Sequence, residues 1–144
     1  MIAVDTNLLI YAHRGESVFH EQSLGVLRQL AEGQRVWGIP WTCLHEFLSV
    51  VTHPRVFDPP STAVQAFDQL DAWLASPVVR LLGENDRYFG HLRQLITSAS
   101  IAGPRVHDAR IAAVCLANGV TELWSADRDF GRFPVLRVRN PLVQ

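Results

Sequence analysis

Residues 2–12 read Ile2-Ala3-Val4-Asp5-Thr6-Asn7-Leu8-Leu9-Ile10-Tyr11-Ala12. The apolar run at 2–4 stops at a carboxylate, and Leu8, Leu9, Tyr11 and Ala12 follow at helical spacing. This reads as a short buried strand, a turn at Asp5, and a short helix ending near Gly15. Working outward, residues 19–32 carry an apolar helical pattern closed by Gly33. Val36 to Ile39 is a second strand, ended by Pro40. Residues 41–52 form a helix with Leu44, Phe47, Leu48 and Val51 on one face. Pro54 and Pro59-Pro60 mark a loop. A Ser61 cap opens a helix through Ala75, with Val64, Phe67, Leu70 and Leu74 as its stripe. Val78 to Leu82 is a third strand and Glu84 to Ser98 a helix.

After Gly103, Pro104 is expected as the first residue of a helix running to Asn118-Gly119, a good C-terminal stop. Glu122 to Trp124 is a fourth strand and Val135 to Val138 a fifth. Strands alternating with helices argue for an α/β fold with a parallel sheet. No repeat or low-complexity segment divides the chain, so residues 1–144 are expected to form a single domain, a size suited to one core.

The chain is 48% hydrophobic and 19% charged, as expected of a globular protein. No stretch is apolar for long enough to cross a bilayer, and the N-terminus has no secretory pattern, so a cytoplasmic location is expected. Cys43 and Cys115 each sit in an apolar helical pattern and are expected as buried free thiols. The formal charge of −1 does not announce a nucleic-acid binder. All 13 basic residues are arginine, a bias that a GC-rich genome produces without functional pressure. The absence of lysine excludes a P-loop and a Schiff-base enzyme.

The chemistry rests on carboxylates. In open parallel sheets, sites lie beyond the carboxyl ends of the strands, where strand order reverses. Asp5 follows the first strand and Asp127 the fourth. Asp5 also reads as an N-cap, and Thr6 and Asn7 serve either to orient a metal-bound carboxylate or to satisfy a turn. With a helix opened at Pro104, Asp108 lies in the second turn on an apolar face, where a charge needs an arginine or an ion. A helix starting at His107 or Asp108 would restore a capping role. Periodicity puts Glu46 opposite the apolar face of its helix, which favours a solvated side chain. His45-Glu46 is not a zinc-protease helix, because Ser49 stands where a second histidine is required. Asp127 and Asp129, in Ser125-Ala126-Asp127-Arg128-Asp129-Phe130-Gly131, read equally as turn residues. Carboxylates held together must take up protons or a cation. A hard divalent ion with oxygen ligands is the natural partner. No G-x-S-x-G, Gly-rich phosphate loop or Cys–His pair competes.

Asp5-Thr6-Asn7-Leu8-Leu9-Ile10-Tyr11-Ala12 resembles the opening signature of PIN-domain proteins, in particular the VapC-type toxins of type II toxin–antitoxin pairs. Trp41 to Phe47 resembles the helix carrying the family glutamate, here Glu46. His107 to Ala113 resembles the third acidic block, and Ser125 to Phe130 the fourth. The resemblance covers essentially the whole chain. It implies a three-layer α/β sandwich with a central, mainly parallel sheet of four to five strands. It implies Mg²⁺, or Mn²⁺ in its place, held by Asp5, Asp108 and Asp127. Glu46 would bind metal or orient the attacking water, with Thr6, Asn7, Ser125 and Asp129 in support. The implied reaction is endonucleolytic hydrolysis of RNA by a metal-activated water. The implied partners are RNA, a small VapB-like antitoxin and a second copy of the chain, with the helices at 41–52 and 61–75 offering a groove. Arg14, Arg110, Arg128 and Arg132 are candidate phosphate contacts, though each reads first as a surface or ion-pair residue.

Two rivals differ in testable ways. A haloacid-dehalogenase-like phosphatase wants an aspartate two residues after the first, where this chain has Asn7. A PIN-like module that binds RNA or a partner without catalysis would not need the intact acids.

Overall fold

The computed structural model describes residues 1–143. The elements run β1 (Ile2–Val4), α1 (Thr6–His13), α2 (His20–Glu32), β2 (Trp37–Pro40), α3 (Trp41–Val51), α4 (Ala63–Leu74), β3 (Val79–Leu82), α5 (Tyr88–Ser98), a 3-10 turn (Gly103–Arg105), α6 (Val106–Ala117), β4 (Glu122–Trp124), a 3-10 turn (Arg128–Arg132) and β5 (Val138–Arg139). The five strands form one sheet in the order β3-β2-β1-β4-β5, and every neighbouring pair is parallel. This is the α/β architecture expected from the alternation of elements. With right-handed crossovers, β1 to β2 to β3 places α1 to α4 on one face, and the return to β4 places α5 and α6 on the other. Strand order therefore reverses between β1 and β4, whose carboxyl ends lead to Asp5 and Ser125.

The core is built from both layers around the sheet. Ala3, Val4, Trp37, Ile39 and Leu123 from the strands are buried with Leu8, Leu9, Phe47 and Val51 on one side and Ala112, Ala113 and Val114 on the other. The α6 helix is buried nearly all round, as its composition suggested. Gly119 ends it in the left-handed conformation at φ 73°. The Gly119 and Val120 amides close onto the Leu116 and Cys115 carbonyls, a termination that favours glycine.

Several sequence expectations shift. The fourth helix is capped by Thr62, not Ser61: Thr62 and Gln65 form a reciprocal capping box. Ser61 is drawn inward instead, bonded to His13 at 2.8 Å and Arg14 at 3.1 Å. The helix turns Ala66, Leu70 and Trp73 to the core, while Val64 and Phe67 are exposed. The fifth helix starts at Tyr88, because Asn85 folds the preceding turn by accepting from the Arg87 amide. Pro104 lies in the 3-10 turn rather than in α6, so Asp108 falls in the first turn of that helix, not the second. The last strand is Val138–Arg139 rather than 135–138.

Candidate metal centre

Asp5 stands one residue past β1, and its amide continues the ladder by donating to the Trp124 carbonyl at 3.0 Å. Its side chain is 4% exposed. It makes no capping bond to α1. The carboxylate is held by side chains from the end of β4, from α3 and from the start of α1. Ser125 Oγ donates to Oδ2 at 2.7 Å, the Cys43 thiol donates to Oδ1 at 3.5 Å, and Asn7 Nδ2 approaches Oδ2 at 3.4 Å. Burial pushes the Asp5 carboxyl above its ordinary range. The bonds from Ser125, the Thr6 amide and Cys43 pull it back, and the charge of Glu46 adds to the rise.

The turn after β4 is organised by the same groups. Asn7 Oδ1 accepts from the Ala126 amide at 3.2 Å, Ser125 Oγ from the Asp127 amide at 3.0 Å, and Asp127 Oδ1 from the Asp129 amide at 2.9 Å. Asp127 is thus a turn residue, and its charge acts on Asp108. Asn7, where a phosphatase of the rival type would place its second acid, is a strut between the two strand ends.

Glu46 is not the free, solvated side chain that periodicity favoured. It is partly buried, and Thr6 Oγ1 donates to its Oε2 at 2.8 Å. Cys43, one helical turn earlier on α3, touches Asp5 from the same side. The helix therefore has two inward faces: Leu44, Phe47 and Val51 enter the core, while Cys43 and Glu46 look toward the strand ends. Cys43 is the contact that sequence reasoning missed, read only as a buried thiol. Its spacing of three from Glu46 was the available signal.

Asp108 is neither of its bland alternatives. Among the described residues it makes no hydrogen bond and no ion pair, and α6 has no side-chain cap. Its carboxyl is also raised, first by burial and then by the charges of Asp127, Asp129 and Glu46, with Arg132 opposing. Arg132 is instead 3.9 Å from Asp129, and Arg110 pairs with Glu84 at 3.5 Å.

Five acids from four separate stretches of sequence are thus linked: the charge of Glu46 acts on Asp5, and those of Asp127, Asp129 and Glu46 act on Asp108. Among the described residues, Asp5, Glu46, Asp108 and Asp127 have no arginine within ion-pair distance. Among the described residues, no three His, Cys, Asp or Glu side chains are gathered closely enough to hold a metal ion as they stand. The donor set nevertheless suits a hard cation: all oxygen, several negative charges, and a buried member whose charge lacks a basic partner. Cys43 and Cys115 are both buried and free. Burial pushes both thiols up, so neither offers a thiolate.

The chain matches the PIN domain family over residues 2–136. It is 40% identical to Ribonuclease VapC43 of Mycobacterium tuberculosis (strain ATCC 25618 / H37Rv) over 142 residues, spanning 99% of this chain and 96% of that protein. Its fold resembles FitAcB from Neisseria gonorrhoeae, with a TM-score of 0.69 at 19% identity and 98% of each chain covered. It also resembles VapBC2 from Rickettsia felis bound to a promoter DNA fragment, with a TM-score of 0.67 at 23% identity, covering 97% of this chain and 98% of that one. The chain belongs to the PIN domain family, in its VapC-type branch.

Proposed function

We propose that this protein is a metal-dependent endoribonuclease, the toxin of a type II toxin–antitoxin pair, folded as a single domain. The observation that carries the reading is the set of acids Asp5, Glu46, Asp108 and Asp127, the first two held by hydrogen bonds and none with an arginine partner among the described residues. The relative named a ribonuclease, matched along almost the whole chain, supports RNA as the substrate.

Asp5, Asp108 and Asp127 are the residues that would hold Mg²⁺, with Mn²⁺ as a substitute. When bound, such an ion lowers the pKa of a water and neutralises charge on the phosphodiester. The chain's own residues do the rest. Ser125, Cys43 and Asn7 fix the Asp5 carboxylate, so it loses no freedom on engaging the ion. Thr6 holds Glu46 Oε2, which leaves Oε1 to orient the attacking water and take its proton. Asp129 supports the turn that carries Asp127. Hydrolysis forms a bond from water oxygen to phosphorus and breaks the bond to the leaving sugar oxygen.

The partners follow from the same branch: a small VapB-like antitoxin and a second copy of this chain. Val64 and Phe67, exposed on α4, and Trp41, exposed on α3, are the apolar side chains such partners would cover. No described helix is long and apolar enough to cross a membrane.

The test is RNA cleavage by purified protein in EDTA and then in excess Mg²⁺ or Mn²⁺, with Asp108→Asn alongside. Activity should vanish in chelator, return with metal, and be absent in the variant. An Asp108→Asn protein that cuts at the wild-type rate overturns the reading. RNA binding without cutting under every condition would support the non-catalytic alternative.

A further inference from the structure

Between α5, α6 and the turn that follows β4 lies a cavity of about 420 Å³. Its size is that of a small-molecule site, about 300–1,000 Å³. The walls are mostly apolar, with Leu95, Leu116 and Phe133 among them. Along one stripe of α5, however, His91, Gln94 and Ser98 line it at spacings of three and four. Among the described residues none of these three side chains makes a hydrogen bond with the rest of the protein. Thr97, on the neighbouring face, closes its hydroxyl onto the Arg93 and Gln94 carbonyls instead. Gln94 and Ser98 are exposed and His91 is half-buried, so the cavity combines apolar walls with polar side chains that now face solvent.

Arg132 ties this cavity to the site. It lines the cavity, its guanidinium stands 3.9 Å from Asp129, and its charge acts on Asp108. Its side chain is 38% exposed, so it is open to an incoming anion. A phosphate on Arg132 would lie at the cavity wall nearest Asp129.

Resting on the ribonuclease reading, we propose that this cavity receives one nucleobase of the RNA, unstacked from the strand next to the cleaved phosphodiester. Arg132 takes the intervening phosphate. Gln94 and Ser98 at the rim, with the half-buried His91, meet the polar edge of the base, while Leu95, Leu116 and Phe133 cover its faces. Single-stranded RNA is read in this way, by splaying a base onto apolar surface and bonding its edge. The cavity, rather than the acids, then sets which nucleotide lies beside the cut.

The test separates base binding from catalysis. The four nucleoside 5′-monophosphates are titrated into ¹⁵N-labelled protein in EDTA, where no cleavage occurs. One nucleotide should shift the Gln94 side-chain amide and the backbone amides of Ser98 and Ala99 saturably, and more strongly than the other three. The shifts should disappear in Gln94→Ala, an exposed substitution that leaves the fold intact. With metal and a defined oligoribonucleotide, Gln94→Ala should raise KM about tenfold with kcat within twofold. Ser98→Trp, which fills the cavity from its rim, should blur the cleavage position. Absent or equal shifts for all four nucleotides overturn the proposal, as does a Gln94→Ala protein with unchanged KM and cleavage position. Loss of nuclease activity in every preparation, with selective nucleotide shifts retained, would remove the ribonuclease reading and leave the base site standing.

Discussion

Thr6 Oγ1 donates to Glu46 Oε2 at 2.8 Å across forty residues of sequence. The bond ties the first turn of α1 to the middle of α3, and so sets Glu46 against the end of β1. Thr6→Val keeps the shape and removes only the donor. Partners that orient metal-binding carboxylates are worth about 10- to 100-fold in affinity or activity. Mn²⁺ affinity or RNA cleavage should fall by about that factor, while Tm changes little. Unchanged cleavage would mean that Glu46 needs no such support.

The raised Asp5 carboxyl makes stability depend on pH with a definite sign. Its folded pKa lies above the ordinary 3.8, chiefly through burial. Between that value and the raised one, the folded protein keeps a proton that the unfolded chain has released. Stability from this group is therefore greatest below about pH 4 and falls as pH rises through the window. Asp5→Asn removes the buried charge and keeps the acceptor for Ser125. In EDTA at neutral pH its Tm should exceed wild type by a few degrees, and the difference should vanish near pH 4. Mn²⁺ should raise the wild-type Tm at neutral pH and leave the variant unmoved. A variant less stable than wild type at neutral pH would contradict this.

Both thiols are inaccessible and held protonated by burial. A thiol reagent such as Ellman's should label neither cysteine in the native protein and both after denaturation. Prompt labelling of Cys43 in the native state would place it at the surface and remove its contact with Asp5.

The α4 face gives a stability test. Trp73 is 5% exposed and meets Phe47 edge-on at 5.3 Å, whereas Phe67 is 52% exposed. Trp73→Ala should cost about 3–5 kcal/mol, and Phe67→Ala less than about 0.5 kcal/mol. Chemical denaturation separates them, and equal costs would restore Phe67 to the core.

That contrast also marks what was legible in the sequence. Alternating strands and helices gave the sheet, and the acids at the ends of the first and fourth strands pointed to the switch point, because strand ends are set by local pattern. The α4 stripe was misread because Val64-Phe67-Leu70-Leu74 and Ala66-Leu70-Trp73 are both helical spacings, and hydrophobicity favoured the bulkier set. Glu46 was misread for a related reason. A helix lying between core and site has two inward faces, and a single-stripe pattern sees only the apolar one. The family signature supplied that residue where periodicity failed. Asp108 depended on a helix start, and Pro104 mimicked one while shaping a 3-10 turn instead. The contact of Cys43 with Asp5 joins residues 38 apart in sequence, and its one local signal is the spacing of three from Glu46.

The central claim is that acids from distant parts of the chain share one cation. The most direct measurement is a crystal grown with Mn²⁺, with anomalous diffraction collected near the manganese edge. The expected result is a peak bounded by carboxylate oxygens of Asp5, Asp108 and Asp127, lost in Asp5→Asn. No peak there, with each acid turned to an arginine or to solvent, would contradict the account.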